Sequence, residues 1–576
     1  MDTAQLDHRS LDHTPLDRSL DLLQQRKQRW AQLPIGDKIH YLEEVRDLVR
    51  DHAEAWVDAG ARLKELSPDS PLLGSEEWLS GPYPTASWLT EMMATLTAIR
   101  NGSDPLDGVD VRTVHDQVVA RVFPATVYDR LLLSGYELDV WMQPGVTEAT
   151  LSDTVGEFYR HSSPEGRVTL VLGAGNVSAI PMLDTLYSLI ADGDVVLLKM
   201  NPVNEAYGPV FERILDPLIR DGYVQIAYGG AEVGEYLTGS DLVQAIHITG
   251  SERTYNAIVF GPGAGGQRRK ADGRQLLAKP IRAELGGVGP TIVLPGPWSD
   301  ADITYQAEHL ATQKLHNSGH TCVASQVLIL PAGWDKADQL LNALAKALTE
   351  SPHRAAFYPG TDEKQAAFRA GNPTARALST AQERTLLVGV DPDSDHPAFR
   401  EEYFGPIYVT TSLPGADSAE YLRNAVDFAN DRLHGNLGAN LIVHPKTAKQ
   451  LQPELDEAIA DLRYGAIGIN VWSAFVFLAS RGAWGAFPGN SSDDIQSGTG
   501  VVHNALLFGR PQKNVIRAPF RPFPRSLRHG HSTMAVKPPW FLTNRTATAT
   551  ARQLTHFAAD PKPQRLVGLF ASALRG

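Results

Sequence analysis

Between residues 167 and 287 the sequence alternates short apolar runs with longer amphipathic ones. The stretches 168–172, 195–198, 224–227 and 245–249 read as strands, and 179–191, 205–220 and a short piece near 233–237 read as helices. Runs that are almost wholly apolar fit strands covered on both faces. Their repetition with helices between them fits a doubly wound parallel sheet. Right-handed crossovers then place the C-terminal ends of the strands along one edge, where such sheets bind nucleotides. A second alternation, from 291 to about 409, predicts a further α/β unit. At 576 residues the chain exceeds the roughly 250–300 residues at which one core stops growing, so at least two domains are expected.

The predicted fold class is therefore α/β: a doubly wound cofactor domain, a second α/β catalytic domain and a C-terminal extension. Residues 1–30, with Leu-Asp pairs at 6, 11, 16 and 20, read as a mobile acidic and polar arm grading into a helix. Residues 31–286 read as N-terminal helices plus the dinucleotide-binding domain, starting with an amphipathic helix over 34–66. Residues 287–500 read as the catalytic domain. Residues 501–576 read as a basic extension serving oligomerisation or surface binding. The Gly-rich, basic stretch 261–279 reads as a surface loop.

Composition narrows the setting. The net charge is −13, yet from Ile495 onward there are twelve Lys or Arg and one acid, Asp560. An acidic body with a basic tail is the result. The single cysteine, Cys322, excludes an internal disulfide framework. No apolar run reaches the ~18–20 residues of a membrane-spanning helix, and the N-terminus lacks the pattern of a signal peptide, so the expected compartment is the cytoplasm.

Three residues carry candidate chemistry. Cys322, in Asn-Ser-Gly-His-Thr-Cys-Val-Ala just before an apolar strand, is either a buried structural cysteine or a nucleophile presented on a tight turn. The second role needs a proton acceptor or a positive field nearby. Glu284, in Arg-Ala-Glu-Leu-Gly-Gly, is either a surface carboxylate before a turn or a general base. Asn176, in Gly-Ala-Gly-Asn-Val-Ser between strand and helix, is either a capping residue or an oxyanion donor. Lys199 directly follows a strand, at the edge where a ribose or phosphate would lie. Glu402 sits in Glu-Glu-Tyr-Phe-Gly-Pro, a turn, and reads alone as a solvated surface carboxylate.

The segments VLGAGNVS, VVLLKMNP, HITGS, AELGG, NSGHTCVA, EEYFGP and YGAIGIN occur in that order between 171 and 470. In this order the chain resembles the aldehyde dehydrogenase superfamily, most specifically in AELGG followed by GHTC. The resemblance covers about the middle half strongly and leaves the tail after Gly500 unexplained. It implies that Cys322 attacks an aldehyde, that the Asn176 amide and the Cys322 backbone N–H hold the oxyanion, and that Glu284 activates water to hydrolyse a thioester. It also implies binding of NAD or NADP: Lys199 and Asn201 near the adenosine ribose, Gly250 and Ser251 at the pyrophosphate, Leu285 and Phe404 near the nicotinamide, and Glu402 on its ribose. No metal is implied.

Several positions depart from the family pattern. Pro202 stands where NAD-using members often carry a Glu three residues after the lysine, which leaves NAD versus NADP open. Gly175 stands where many relatives carry Trp, and the second pyrophosphate-loop glycine is not evident after Gly250. The aromatic stretch 471–478, with Trp472, Phe475 and Phe477, either packs a core or lines an apolar tunnel suited to a hydrophobic aldehyde. The basic tail is read first as wrapping the acidic body of its own or a neighbouring subunit. Docking on an anionic membrane through Trp540, Phe541 and 566–574 comes second and nucleic acid last. The expected activity is oxidation of an aldehyde to a carboxylic acid by a homo-oligomer, dimer or tetramer. Transfer of the acyl group to CoA, with Arg268, Arg269 and Lys270 as phosphate contacts, is the alternative. A non-catalytic nucleotide-binding scaffold is the third reading.

Overall fold

The computed structural model describes residues 12–576 except 380, 382, 531 and 532. Two large sheets organise it. The smaller has six strands in the order Gly498–Thr499, Ile281–Leu285, Ala245–Gly250, Val168–Leu172, Val195–Lys199, Val224–Ala227. The last five are parallel, and Gly498–Thr499 joins the edge antiparallel. Strand Val168–Leu172 lies at the centre, and the order turns back on itself between it and Ala245–Gly250. That is the crevice where a doubly wound sheet binds its ligand. Helix Ala179–Ala191 covers the sheet and is buried along almost its whole length.

The second sheet has eleven strands. Its parallel centre runs through Ala466–Ile469, Gly438–Ile442, Gly289–Val293, Ser325–Pro331 and Ile407–Leu413. Strand Ser325–Pro331 begins three residues after Cys322, so this sheet carries the thiol to its own strand edge.

Four expectations are corrected. First, much of the arm expected over 1–30 is a docked helix, Thr14–Ala31. Leu16, Leu20, Leu23 and Trp30 fall on one helical face, and the last three are fully buried. The Trp30 indole also donates to the Leu189 carbonyl at 2.8 Å. The pairs at Leu6 and Leu11 lie outside the described residues. Second, residues 31–286 do not form one unit. Strands Asp110–Val114, Gln117–Phe123 and Glu137–Met142 from that range belong to the eleven-stranded sheet.

Third, the body does not end near Gly500. Strand Pro511–Arg517 lies inside the eleven-stranded sheet, between Glu137–Met142 and Ala466–Ile469. Beyond it, helix Ala547–Ala559 packs on helix Pro82–Arg100. The basic tail meets acids of its own chain: Arg517 with Asp139 at 2.9 Å, and Arg521 with Asp302 and Lys537 with Glu308 at 3.0 Å. Trp540 and Phe541, the anchors of the less favoured membrane reading, are buried. Fourth, the stretch 261–279 contains a helix, Gly263–Ala271, in place of a plain loop.

Candidate active site

Cys322 sits where the two sheets face each other. The turn before it is held in an unusual backbone: Asn317 and Ser318 are both left-handed, at φ 54° and 56°. That geometry is fixed by buried partners. Asn317 Nδ2 donates to the carbonyls of Asn176 and His320, both at 3.1 Å, and its Oδ1 accepts from Lys64 Nζ at 2.9 Å. Its backbone N–H donates to Glu76 Oε1 at 2.9 Å. Lys64 is paired with Glu77 at 2.7 Å, Arg354 is paired with Glu76, and all four side chains are buried. Glu76 and Glu77 lie on a π-helical turn, Leu73–Trp78, a rare element that often marks functional regions.

The other two candidate catalytic residues meet this turn. Asn176 follows the central strand of the smaller sheet and is buried. Its Nδ2 donates to the His320 carbonyl at 3.0 Å, which leaves a second N–H on the amide. Glu284 is in strand Ile281–Leu285, two strands away in the same sheet, and is also buried, with its carboxyl facing the Cys322 thiol and the Trp484 indole. Neither Glu284 Oε1 nor the Trp484 N–H completes a hydrogen bond of good geometry. Burial, reinforced by the nearby Asp184 carboxylate, pushes Glu284 up to about 8. Burial, together with Glu284 and Glu402, also pushes the Cys322 thiol well above its ordinary value.

An apolar cavity of about 60 Å³ opens beside the sulfur, lined among others by Val177, Ile180, Trp472, Phe475, Phe477 and Trp484. Two of the three aromatics singled out in 471–478 pack in the core (Trp472, Phe475), and all three also line this cavity.

The residues expected at a nucleotide lie along the crevice. Lys199 ends its strand and is buried, and no hydrogen bond from its amine to another described residue is formed. Burial lowers its pKa, against the pull of Glu205 and Glu232. These acids occupy the region where Pro202 had left the sequence without one. Asn201 Oδ1 accepts from the Val203 N–H at 3.0 Å. A Cβ at Gly175 would fall 2.7 Å from that oxygen, so a larger side chain there would displace Asn201. Gly250 ends its strand, and Ser251 caps helix Glu252–Phe260 by accepting from the Thr254 N–H at 3.2 Å. Glu402 lies directly over Gly286, where a Cβ would come within 2.1 Å of its carboxylate. This places Glu402 next to Leu285, and burial raises it to about 8. Phe404 lies near His320, with ring centroids 5.6 Å apart and the rings tilted at 56°.

Lys64, Glu76, Glu77, Arg354 and Trp484 were missed from sequence. Charged residues far apart in the chain give no local sign of pairing, although Asn317, five residues before the thiol, was already in view as part of the motif.

Fold and site together define a two-sheet α/β protein with one thiol between its sheets, beside a buried carboxyl and at the mouth of a nucleotide-type crevice. Residues 145–367 match the model of the aldehyde dehydrogenase family. The dimeric NADP-preferring aldehyde dehydrogenase of Rattus norvegicus is 26% identical over 330 residues, 54% of this chain and 65% of the relative. Geranial dehydrogenase of Castellaniella defragrans is 26% identical over 318 residues, 50% of this chain and 61% of the relative. The chain thus spans a little under two thirds of the length of these relatives. Among solved structures, the aldehyde dehydrogenase KauB from Pseudomonas aeruginosa superposes with a TM-score of 0.58 at 17% identity, covering 88% of this chain and 89% of that one. The likeness to the aldehyde dehydrogenase family is thus carried by residues 145–367. No helix among the described residues is long and apolar enough to cross a membrane.

Proposed function

We propose that the chain oxidises a hydrophobic aldehyde to a carboxylic acid with NAD or NADP, through a covalent intermediate on Cys322. The observation that carries this reading is the Cys322 thiol facing the buried Glu284 carboxyl inside an apolar pocket.

The residues along the crevice fit a nicotinamide nucleotide. The buried Lys199 amine has donors to spare, the helix starting after Ser251 offers free N–H groups, and Glu402 is brought close by Gly286. Lys199 and Asn201 would hold the adenosine ribose, Gly250 and Ser251 the pyrophosphate, and Glu402 the nicotinamide ribose, with Leu285 and Phe404 flanking the ring. When bound, such a cofactor supplies the acceptor for a hydride.

The chain's own part is proton handling and charge stabilisation. The Cys322 thiol gives up its proton to solvent, and the thiolate attacks the carbonyl carbon to give a thiohemiacetal. The second Asn176 Nδ2–H and the Cys322 backbone N–H stabilise the oxyanion. Loss of hydride from that carbon leaves a thioester on Cys322. Glu284 then removes a proton from water, whose oxygen attacks the thioester and expels the thiolate. The unpaired Glu284 Oε1 is an acceptor open to that water.

Glu284 beside the sulfur favours water over CoA as the acyl acceptor. The basic residues considered for CoA are partly engaged: Lys270 pairs with Glu252 at 3.0 Å and Arg269 donates to the Phe260 carbonyl. The name of the rat relative, a dimeric enzyme, supports a homo-oligomer, and a cytoplasmic setting accords with the sequence. Reduced nucleotide formation from a panel of aldehydes, with and without CoA, tests the reading. Wild type should turn over without CoA and Cys322→Ala should not; turnover by Cys322→Ala refutes the mechanism.

A further inference from the structure

Beyond the pocket at Cys322 lies a larger cavity of about 300 Å³. Leu79, Phe475, Leu478 and Trp540 line both, so the two chambers share a wall. The outer wall of the larger one comes from the segment that the family resemblance left unexplained. Helices Ala547–Ala559 and Pro563–Ala573 place Leu554, Phe557 and Leu569 on it.

This chamber is mostly apolar but holds one group of polar side chains. Arg481, Glu91, Tyr83, Asp129 and Thr550 all line it. Arg481 Nη1 stands 3.6 Å from Glu91 Oε2, too far for a hydrogen bond. Arg481 Nε and Thr550 Oγ1 are buried with no partner, and Thr550 is 3% exposed. Asp129 is committed to the backbone N–H groups of Ala125 and Thr126, at 3.0 and 2.9 Å. Unsatisfied polar atoms in an apolar chamber are costly unless something completes their hydrogen bonds. The chemistry of that something is constrained. A carboxylate would face Glu91 and Asp129. An ammonium would face Arg481. A neutral hydroxyl can accept from Arg481 and donate to Glu91.

We propose that this outer chamber binds the far end of an elongated apolar aldehyde that carries a hydroxyl group there, with Arg481, Glu91 and the C-terminal helices determining specificity. The proposal rests on the aldehyde-oxidising reading of Cys322. It assigns the C-terminal segment a substrate-selecting role.

The test compares kcat/KM of the wild-type chain for decanal and its ω-hydroxy, ω-amino and ω-carboxy counterparts, with propanal as a short reference. A chamber that is merely apolar favours decanal, because a hydroxyl costs free energy to bury unpaired. The proposal expects ω-hydroxydecanal to exceed decanal by about tenfold, the worth of one net hydrogen bond to a charged group, and the amino and carboxy forms to fall below it. Arg481→Leu should bring the hydroxy-to-methyl ratio down towards one. A wild-type ratio at or below one, or a ratio unmoved by Arg481→Leu, overturns the proposal. Calorimetry with decanediol and decanol reads the chamber without any chemistry. Propanal oxidation with no hydroxyl preference sinks the chamber proposal and leaves the enzymatic reading standing. Tighter binding of decanediol than decanol, with no aldehyde oxidised, does the reverse.

Discussion

Glu284 is predicted to set the pH dependence of turnover. Burial and Asp184 hold its carboxyl at about 8 against an ordinary 4.5. The proposed general base is the ionised form, so at pH 7 only about a tenth of the molecules carry it. Where thioester hydrolysis limits turnover, kcat should fall about tenfold for each pH unit below 8 and level off above it. Glu284→Gln should remove that limb and slow acyl release by about 10²–10⁴-fold, the usual worth of a general base. Stopped-flow measurement of reduced nucleotide in the variant at pH 8 should show a burst of about one equivalent followed by a slow phase.

The same shift has a consequence for stability. From about pH 4.5 to 8 the unfolded chain has lost the Glu284 proton while the folded chain keeps it. Stability therefore falls as pH rises, by about 1.4 kcal/mol per unit and about 5 kcal/mol in all from this group. Glu284→Gln lacks this contribution, so its denaturation midpoint should decline less than that of wild type between pH 5 and 9. Wild-type turnover by the variant, or identical pH slopes of stability, would refute the assignment.

Other expectations follow from the same geometry. Glu77→Ala strands the buried Lys64, which should cost about 3–5 kcal/mol by chemical denaturation and lower kcat through the loosened Asn317 turn; a loss under about 1 kcal/mol contradicts the pairing. Truncation after Gly500 removes strand Pro511–Arg517 from the interior of the eleven-stranded sheet and should abolish cooperative unfolding, so a truncated chain that melts like wild type contradicts the topology. Glu205 and Glu232 around Lys199 oppose a 2′-phosphate, so KM for NAD should lie below KM for NADP, and the opposite order in steady-state kinetics contradicts it.

Much of the smaller sheet was legible because its strands are covered on both faces and read as apolar runs. Asn176 and Lys199 stand at or near the ends of strands read there, so locating the strands located them, whereas Glu284 was found through its Ala-Glu-Leu-Gly-Gly motif and its strand, Ile281–Leu285, was not predicted. The eleven-stranded sheet was legible only at its parallel centre. Strand Pro511–Arg517 begins with proline and carries Gln512, Lys513 and Asn514, which argue against an interior strand in sequence. In the fold, Lys513 is buried with its amine donating to the carbonyls of Ile459 at 2.9 Å and Leu462 at 3.0 Å, contacts about fifty residues distant. The helix Gly263–Ala271 was hidden by its three glycines, which weaken local helical preference. The four buried charges behind Asn317 were invisible for a related reason. An isolated Glu or Lys belongs on the surface, and only tertiary pairing brings it inside.

The most direct test of Cys322 as the reacting atom is mass spectrometry of Glu284→Gln, quenched in acid during turnover of decanal with NAD. An acyl group should appear at one equivalent on the peptide containing Cys322 and disappear when the quenched protein is treated with hydroxylamine. An unmodified Cys322 peptide, with reduced nucleotide formed at the same time, would contradict covalent catalysis at this thiol.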